Sequence, residues 1–350
     1  MSSVIGTGIE QRAAGELPRA DRPAVYAIHE NPDWFGPFAA AFAREGVPVV
    51  EWLLVGGSLD LTEPPPDGVF WSRFSASSHT RGHLGSKDQT RSVLSWLEAA
   101  GRRTVNGRAV LEFEVSKVAQ LSALRAAGID TPVTTAVFGT DALVPAARRF
   151  AAARPGQPFL IKHNQGGKGL GVQRFDSVAE LEVHVASAAF EEPVDGVTLL
   201  QEYVPSADGS ITRLEFVAGE LVYAIRADTV IGGFQLCPAD ACAIGPDGAP
   251  IAPPGALRAP APGEQVFSLR EDVTGLPVEA IRRFLAGAGI EIAGVELIRT
   301  ADGRVVVYDV NTNTNYNPVV EAVAPASGPG AIARYLGQLL AAVTPKPGRA

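Results

Sequence analysis

The segment "FLIKHNQGGKGLGVQRF", residues 159–175, carries residue types that could bind phosphate. An apolar run ends at Lys162, four glycines follow within six residues, and a second short strand pattern comes next. Glycine has no Cβ, so the backbone N–H groups of such a loop can approach an anion closely. The candidate phosphate-binding groups are therefore the Lys162 ammonium and the backbone of Gly166, Gly167, Gly169 and Gly171.

Two common phosphate-binding motifs do not fit this segment. The P-loop requires Gly-Lys followed by Ser or Thr and then a helix, but Lys168 is followed by Gly169. The dinucleotide-binding fingerprint requires G-x-G-x-x-G at the start of a helix, whereas this run reads G-x-G-x-G and continues into "VQRF". The pattern predicts a flap between two strands. The loop alone leaves open a mobile glycine-rich hairpin without a ligand.

A hairpin pattern near the C-terminus, "VELIRTADGRVVVYDVN" at 295–311, brings acidic residues together. Asp302-Gly303 is a strong signal for a two-residue turn. That turn predicts that Glu296 lies directly opposite Asp309, with Asn311 on the same face two residues further along.

Two carboxylates opposed in this way need a positive charge between them. Opposed Cβ atoms are roughly 5 Å apart, and like charges at that separation are destabilising. A hard divalent cation with oxygen ligands, such as Mg²⁺, fits two carboxylates and an amide. The alternative is a hairpin whose charges point to water, but the valines on both faces favour partial burial.

An earlier hairpin pattern, "ITRLEFVAGELVYAIRA" at 211–227, carries two arginines. A turn at Ala218-Gly219 and a turn at Gly219-Glu220 both predict that Arg213 and Arg226 lie on one face. Two neighbouring guanidinium groups match the oxygens of a phosphate or a carboxylate. An ordinary surface salt bridge to Glu215 is the competing interpretation.

The composition limits the class of protein. The chain has 350 residues, 46% of them hydrophobic and 19% charged, which is typical of a globular protein with more than one packed unit. Its formal charge of −8 and the absence of a basic run argue against a nucleic acid partner. No apolar run reaches the ~20 residues of a membrane span. Cys237 and Cys242 are too few for a disulfide framework or a four-ligand zinc site.

The order of patterns predicts four units. Residues 1–21 resemble no signal peptide and are expected to form a loose tail in a cytoplasmic protein. Strands and helices alternate over 22–110, which predicts a small parallel α/β domain. Residues 111–204 hold a helix at 114–127, the flap and a buried strand, and 205–345 hold the two hairpins and a long loop at 245–264 with six prolines and four glycines.

Taken together, these motifs resemble the ATP-grasp superfamily, particularly its glutamate-ligase-like branch. The matching stretches occur in the family's order over about residues 106–318. They are "NGRAVLEFEVSKVAQLSALRAAGIDTP", "FLIKHNQGGKGLGV", "LLQEYV", "TRLEFVAGELVYAIR" and "GVELIRTADGRVVVYDVNTNTNYNP". The stretch "WSRFSASS" and the α/β unit around it resemble the branch's leading domain more weakly. The resemblance implies a mixed α/β and α+β architecture, an ATP-grasp fold preceded by a small parallel domain.

The resemblance also implies roles at the matching positions. The phosphate lysines would be Lys117 and Lys162, beneath the four flap glycines, and the linker that meets adenine would be Glu202, Tyr203 and Val204. The metal ligands would be Glu296, Asp309 and Asn311, with Glu and Asp exchanged relative to the usual family order. A second departure is Ile211, where many members carry Asp.

Members of this family form an acyl-phosphate from a carboxylate and ATP, then let an amine displace phosphate. The expected cofactors are ATP and Mg²⁺, with Mn²⁺ as an alternative metal, and the expected partners are small carboxylate and amine substrates, with a homo-oligomer left open. The expected role of Arg226 is at the phosphoryl group, with Arg213 undecided but also a catalytic candidate, and those of Arg73 and Asn313 are in substrate binding. A kinase or a non-catalytic nucleotide-binding regulator on the same fold is the alternative.

Overall fold

The computed structural model describes most of the chain. The described residues are 16–167, 169, 171–233, 256–257, 261 and 263–344. Cys237, Cys242, Lys168 and most of the proline-rich segment at 245–264 lie outside them.

The leading part of the chain forms a four-stranded parallel sheet in the order β2-β1-β3-β4. Its strands are β1 (Ala24–His29), β2 (Val49–Leu53), β3 (Gly68–Ser72) and β4 (Arg103–Val105). Alternate residues of β1 pack against α1 (Gly36–Glu45) on one face and α2 (Ser86–Ala99) on the other. Strand order therefore reverses between β1 and β3, and the carboxyl ends at such a point form the usual ligand crevice of an open α/β sheet.

A second sheet of four antiparallel strands follows, in the order β5-β8-β6-β7. The strands are β5 (Thr134–Phe138), β6 (Phe159–His163), β7 (Gln173–Phe175) and β8 (Val197–Glu202), and their apolar face packs on α5 (Leu143–Ala152) and α6 (Val178–Val185). The flap glycines join β6 to β7, so the predicted strand–loop–strand context is confirmed.

The helix predicted over 114–127 is instead the end of one helix and the whole of another. These are α3 (Arg108–Val115) and α4 (Lys117–Ala126). Ser116 separates them in an extended conformation, and its hydroxyl accepts a hydrogen bond from Ala119 N–H. Serine is a favoured N-cap because its side chain satisfies a backbone donor of the first helical turn. Lys117 is therefore the first residue of α4.

The third sheet has five antiparallel strands in the order β11-β10-β9-β12-β13. They are β9 (Ser210–Val217), β10 (Glu220–Asp228), β11 (Phe267–Leu269), β12 (Ile292–Arg299) and β13 (Val305–Asn311), accompanied by α7 (Thr229–Gly232), α8 (Val278–Ala288), α9 (Pro318–Glu321) and α10 (Gly328–Val343). Both predicted hairpins are present, β9–β10 and β12–β13, and each contains a β-bulge.

The leading and third sheets share one apolar core. Helix α10 packs between them, so that Leu336 belongs to the same buried cluster as Phe38 and Trp71. Leu17 and Ala20, within the predicted tail, also pack against buried residues of the leading sheet. The domain boundaries given above stay a prediction. Among the described residues no helix has the length and apolarity that a membrane crossing requires.

Candidate active site

A cleft with a cavity of about 220 Å³ lies where the three sheets meet. Its walls include the hairpin β12–β13, the flap after β6, the linker after β8 and the loop after β3. Of the predicted site residues, these line it: Lys117, Lys162, Gly166, Gly167, Gly169, Glu202, Tyr203, Val204, Arg213, Glu296, Asp309, Asn311 and Asn313.

In the hairpin β12–β13, Glu296 lies directly opposite Asp309, as predicted. The turn differs from the prediction, because Thr300 pairs with Arg304 around a three-residue loop that contains Asp302-Gly303. A bulge at Tyr308 adds one residue to β13 and restores the predicted register from Glu296 onwards. Two deviations of one residue cancel, so the acids face each other.

Protein cations hold both acids. Lys117 Nζ donates to Asp309 Oδ1 at 2.6 Å, and Arg213 Nη1 donates to Glu296 Oε1 at 2.8 Å. Burial alone would raise the pKa of Asp309, but the nearby cations, Lys117 foremost, together outweigh burial and lower it, whereas burial keeps the pKa of Glu296 raised. Asn311 Nδ2 lies 3.4 Å from Glu296 Oε1, which turns the amide oxygen away from that carboxylate.

Lys162 has a different environment from Lys117. Its side chain is buried, its Nζ lies 5.9 Å from the Tyr308 ring centroid, and it forms no ion pair with any described residue. Burial and the nearby charge of Lys117 lower its pKa to about 7. A buried, unpaired ammonium at the entrance to a glycine flap suits a phosphate oxygen.

Arg213 is locked in place by neutral and acidic partners. Besides Glu296, its guanidinium donates to Glu215 Oε1 at 2.6 Å and to Thr314 Oγ1 at 2.7 Å. The competing salt bridge to Glu215 therefore forms, but it is buried rather than at the surface. Burial alone would lower the pKa of Arg213, yet the two carboxylates outweigh burial and raise it.

The prediction that Arg226 shares a face with Arg213 is wrong. The turn is at Ala218-Gly219, but a bulge at Val222 shifts the register, so Arg213 pairs with Ile225. Arg226 pairs with Thr212 instead and its side chain points to the opposite face. Its guanidinium forms an ion pair with Asp228 at 3.1 Å, and it is not among the residues that line the cleft.

Two of the flap glycines have a backbone conformation that favours glycine. Gly169 and Gly171 have φ of 70° and 71°, in the left-handed region that favours glycine. A Cβ on Gly171 would lie 2.8 Å from the His163 ring, so this glycine packs on β6 rather than lining the cleft. In the linker, Glu202 and Tyr203 donate their N–H groups to Val133 and Pro158, whereas Val204 N–H makes no hydrogen bond with a described residue.

Arg73 lies one layer behind the cleft surface. Its side chain is 2% exposed, its Cζ lies 4.1 Å from the Phe38 ring centroid, and Nη2 donates to Asn315 Oδ1 at 2.9 Å. No acid of the described chain forms an ion pair with it, and burial lowers its pKa to about 10. Asn313 and Asn315 themselves line the cleft.

Sequence reasoning missed Glu114, which ties three walls of the cleft together. Its carboxylate accepts hydrogen bonds from Ala76 N–H (3.2 Å), Thr312 N–H and Oγ1 (both 2.8 Å) and Asn313 N–H (3.2 Å). Burial raises its pKa. Its partners lie far away in the sequence, so no local spacing indicates this role. The loop after β3 also places Ser75 and Ser77 at the cleft.

Comparison with known proteins gives the fold. No protein-family model matches the chain. A probable alpha-L-glutamate ligase of Xanthomonas oryzae pv. oryzae is 28% identical over 250 residues, 70% of this chain and 72% of that protein.

Two solved structures align over nearly the whole molecule. The D-cycloserine synthetase DcsG superposes with a TM-score of 0.61 at 20% identity, covering 91% of this chain and 100% of that one. The ATP-grasp ligase PsnB, solved with a phosphomimetic variant of its minimal precursor, Mg and ADP, gives 0.57 at 15% identity, covering 90% and 98%. This chain therefore has the fold of the ATP-grasp ligase PsnB, and its sequence is similar to that of a probable glutamate ligase.

Proposed function

We propose that the protein is an ATP- and Mg²⁺-dependent ligase that joins a carboxylate to an amine through an acyl-phosphate, releasing ADP and phosphate. The observation that carries this proposal is the facing pair Glu296 and Asp309 in one cleft with Lys117 and Lys162. The similarity to a glutamate ligase and the ATP-grasp fold support it. The proposed setting is the cytoplasm, where ATP and Mg²⁺ are available.

The donor set of the hairpin fits Mg²⁺. Two carboxylates and the Asn311 amide offer hard oxygen ligands on one face of the sheet. No group of three or more His, Cys, Asp and Glu side chains that could hold a metal occurs in the described part of the chain. The ion would therefore take its remaining ligands from phosphate oxygens and water. When bound, it would neutralise charge on the phosphates.

The remaining chemistry falls to the protein's own groups. Lys162 and the flap backbone would hold the γ-phosphate while a substrate carboxylate oxygen attacks phosphorus and the bond to ADP breaks. The amine nitrogen would then attack the acyl carbon, the bond to phosphate would break, and the amine proton would pass to the phosphate. The glycine flap would keep water from the acyl-phosphate. Adenine would meet the linker at Val204, and Asn313 would contact the substrate.

Phosphate release tests the proposal. The purified protein is incubated with ATP, Mg²⁺ and pairs drawn from a panel of amino acids, including glutamate, and small carboxylic acids. A ligase releases phosphate only when an acid is present, and mass spectrometry then finds an amide in the same mixture. A phosphorylated stable product without an amide would instead indicate a kinase, and ATP binding without turnover across the panel would favour a regulator.

A further inference from the structure

The contact between Lys117 and Asp309 joins a candidate phosphate ligand to a candidate metal ligand. Lys117 Nζ lies 2.6 Å from Asp309 Oδ1, and the two side chains are only 12% and 17% exposed. Lys117 is the first residue of α4, where the helix dipole disfavours a cation. Burial also disfavours an ammonium that has no anion beside it. Lys117 thus needs an anion close by, and Asp309 supplies one.

Arg213, the cation that contacts the other acid of the β12–β13 hairpin, has more hydrogen-bonding partners than Lys117. Arg213 binds Glu296, Glu215 and Thr314 at once, and its side chain is 5% exposed. Among the described residues Asp309 is the one hydrogen-bonding partner of the Lys117 ammonium. Of the two cations, Lys117 is therefore the one that can move from its carboxylate to another anion without breaking further contacts.

Each acid of this hairpin already has a protein cation beside it. Lys117 Nζ lies 2.6 Å from Asp309 Oδ1, and Arg213 Nη1 lies 2.8 Å from Glu296 Oε1. A bare divalent cation would have to enter beside the Lys117 ammonium, and repulsion is strong in a partly buried site. A metal that arrives bound to a polyphosphate is accompanied by the negative charge of the phosphates. The same phosphates offer the Lys117 ammonium a new partner.

We propose that Lys117 is a built-in counter-cation that makes metal binding at Asp309 conditional on nucleotide. The phosphates draw the ammonium from Asp309, and the freed carboxylate then ligates the metal. Lys117 would act on the metal through Asp309, in addition to its expected contact with phosphate. Because linkage is reciprocal, nucleotide and metal would tighten each other's binding by the same factor. This inference rests on the proposed function in placing a metal at this hairpin and nucleotide phosphates beside Lys117.

Binding of Mn²⁺ measured by electron paramagnetic resonance, without and with ADP, tests the proposal independently of any substrate. Wild-type protein should bind Mn²⁺ weakly alone and much more tightly with ADP. Lys117→Gln should bind Mn²⁺ alone about tenfold more tightly than wild type, because a neighbouring positive charge and a competing partner are both removed. The same substitution should weaken ADP binding, so the gain in Mn²⁺ affinity on adding ADP should shrink.

Two variants separate this effect from general electrostatics. Lys162→Gln removes a cation from the same cleft that does not contact Asp309, and should raise affinity for Mn²⁺ alone less than about threefold. Lys117→Arg keeps the charge and should stay near wild type. Equal affinities for Mn²⁺ alone in Lys117→Gln and wild type, or in Lys117→Gln and Lys162→Gln, would overturn the proposal.

The wild-type measurement also stands by itself. If the nucleotide-free protein binds Mn²⁺ as tightly as its ADP complex does, the proposal is wrong whether or not any variant folds. If wild-type protein binds no Mn²⁺ even with ADP, or if Asp309→Asn binds it normally, the metal assignment fails and the proposed function fails with it.

Discussion

The hairpins β9–β10 and β12–β13 lie side by side in one sheet, yet the sequence predicts the facing residues of only one correctly. In β12–β13 a longer turn and a bulge at Tyr308 cancel, and Glu296 faces Asp309. In β9–β10 the predicted turn is right, but a bulge at Val222 moves Arg226 to the opposite face from Arg213.

The difference teaches that the face of a side chain depends on the sum of turn length and bulges. Side chains alternate along a strand, so one inserted residue reverses the face of every residue beyond it. Turn residues such as Asp302-Gly303 are visible in the sequence, whereas neither bulge contains a glycine or another local signal. A prediction of which two residues face each other can therefore be correct even though the turn length behind it is wrong.

Unfolding of arginine variants gives the largest contrast between the hairpins. Arg213→Met leaves Glu215 and Glu296 buried without their cation and should lower the free energy of unfolding by about 3–5 kcal/mol. Arg226→Met removes a partly exposed ion pair and should lower it by ~0–1 kcal/mol. Urea denaturation measures both. Similar losses in the two variants would contradict the assignment of Arg226 to the other face.

Turnover of acid-to-amide variants tests the β12–β13 hairpin. Asp309→Asn should lower turnover by about 10²–10³, because charge stabilisation in the transition state is lost. The matched control is Asp302→Asn, since Asp302 lies exposed in the loop of the same hairpin and contacts Thr300. It should keep normal turnover. Phosphate release at limiting Mg²⁺ measures both, and near-normal turnover of Asp309→Asn would exclude a metal role.

Much of the fold follows from patterns that are local in the sequence. Strand and helix periodicity predicts the leading parallel sheet, the flap between β6 and β7, and both hairpins, and the fold class is confirmed. The break at Ser116 was also readable in principle, because serine competes for backbone donors and favours N-caps.

The part of the site that escapes prediction is assembled from distant residues. Glu114 bonds Ala76 and Thr312, and Arg73 bonds Asn315, across separations of 38 to 242 residues. Such contacts depend on how the sheets pack, which neither periodicity nor spacing indicates. The expectation that Arg73 serves the substrate stays a prediction, now with Asn315 between Arg73 and the cleft.

Arg73→Met sharpens the contrast between a buried arginine with acids and one without. Unlike Arg213, Arg73 has no acid partner among the described residues. No ion pair therefore offsets the cost of burying its charge, and burial lowers its pKa to about 10. Methionine keeps packing against Phe38, and stability should stay equal or rise, whereas KM for the acid or amine should rise about tenfold as Asn315 loses its orienting donor.

Asn315→Ala is the companion variant for Arg73. If Arg73 acts through Asn315, the double variant should raise KM no further than the single ones, since neighbouring residues in one hydrogen-bond network are not additive. Additive increases in KM, or a loss of stability in Arg73→Met as large as that in Arg213→Met, would argue against the role.

The smallest expected effect is the uptake of a proton on ADP binding, and it depends on the difference in pKa between Lys162 and Lys117. Lys162 has a pKa of about 7, so above that pH it is largely neutral, whereas Asp309 keeps Lys117 charged. Phosphate beside Lys162 would raise its pKa, so ADP binding should take up a proton. Affinity should then weaken by up to about tenfold per pH unit above 7. Calorimetry at about pH 8, in buffers of different ionisation enthalpy, measures that uptake. Lys162→Met is the control, because its proton uptake measures the protons that ADP itself exchanges. If this variant takes up as many protons as wild type, Lys162 does not contact the phosphates.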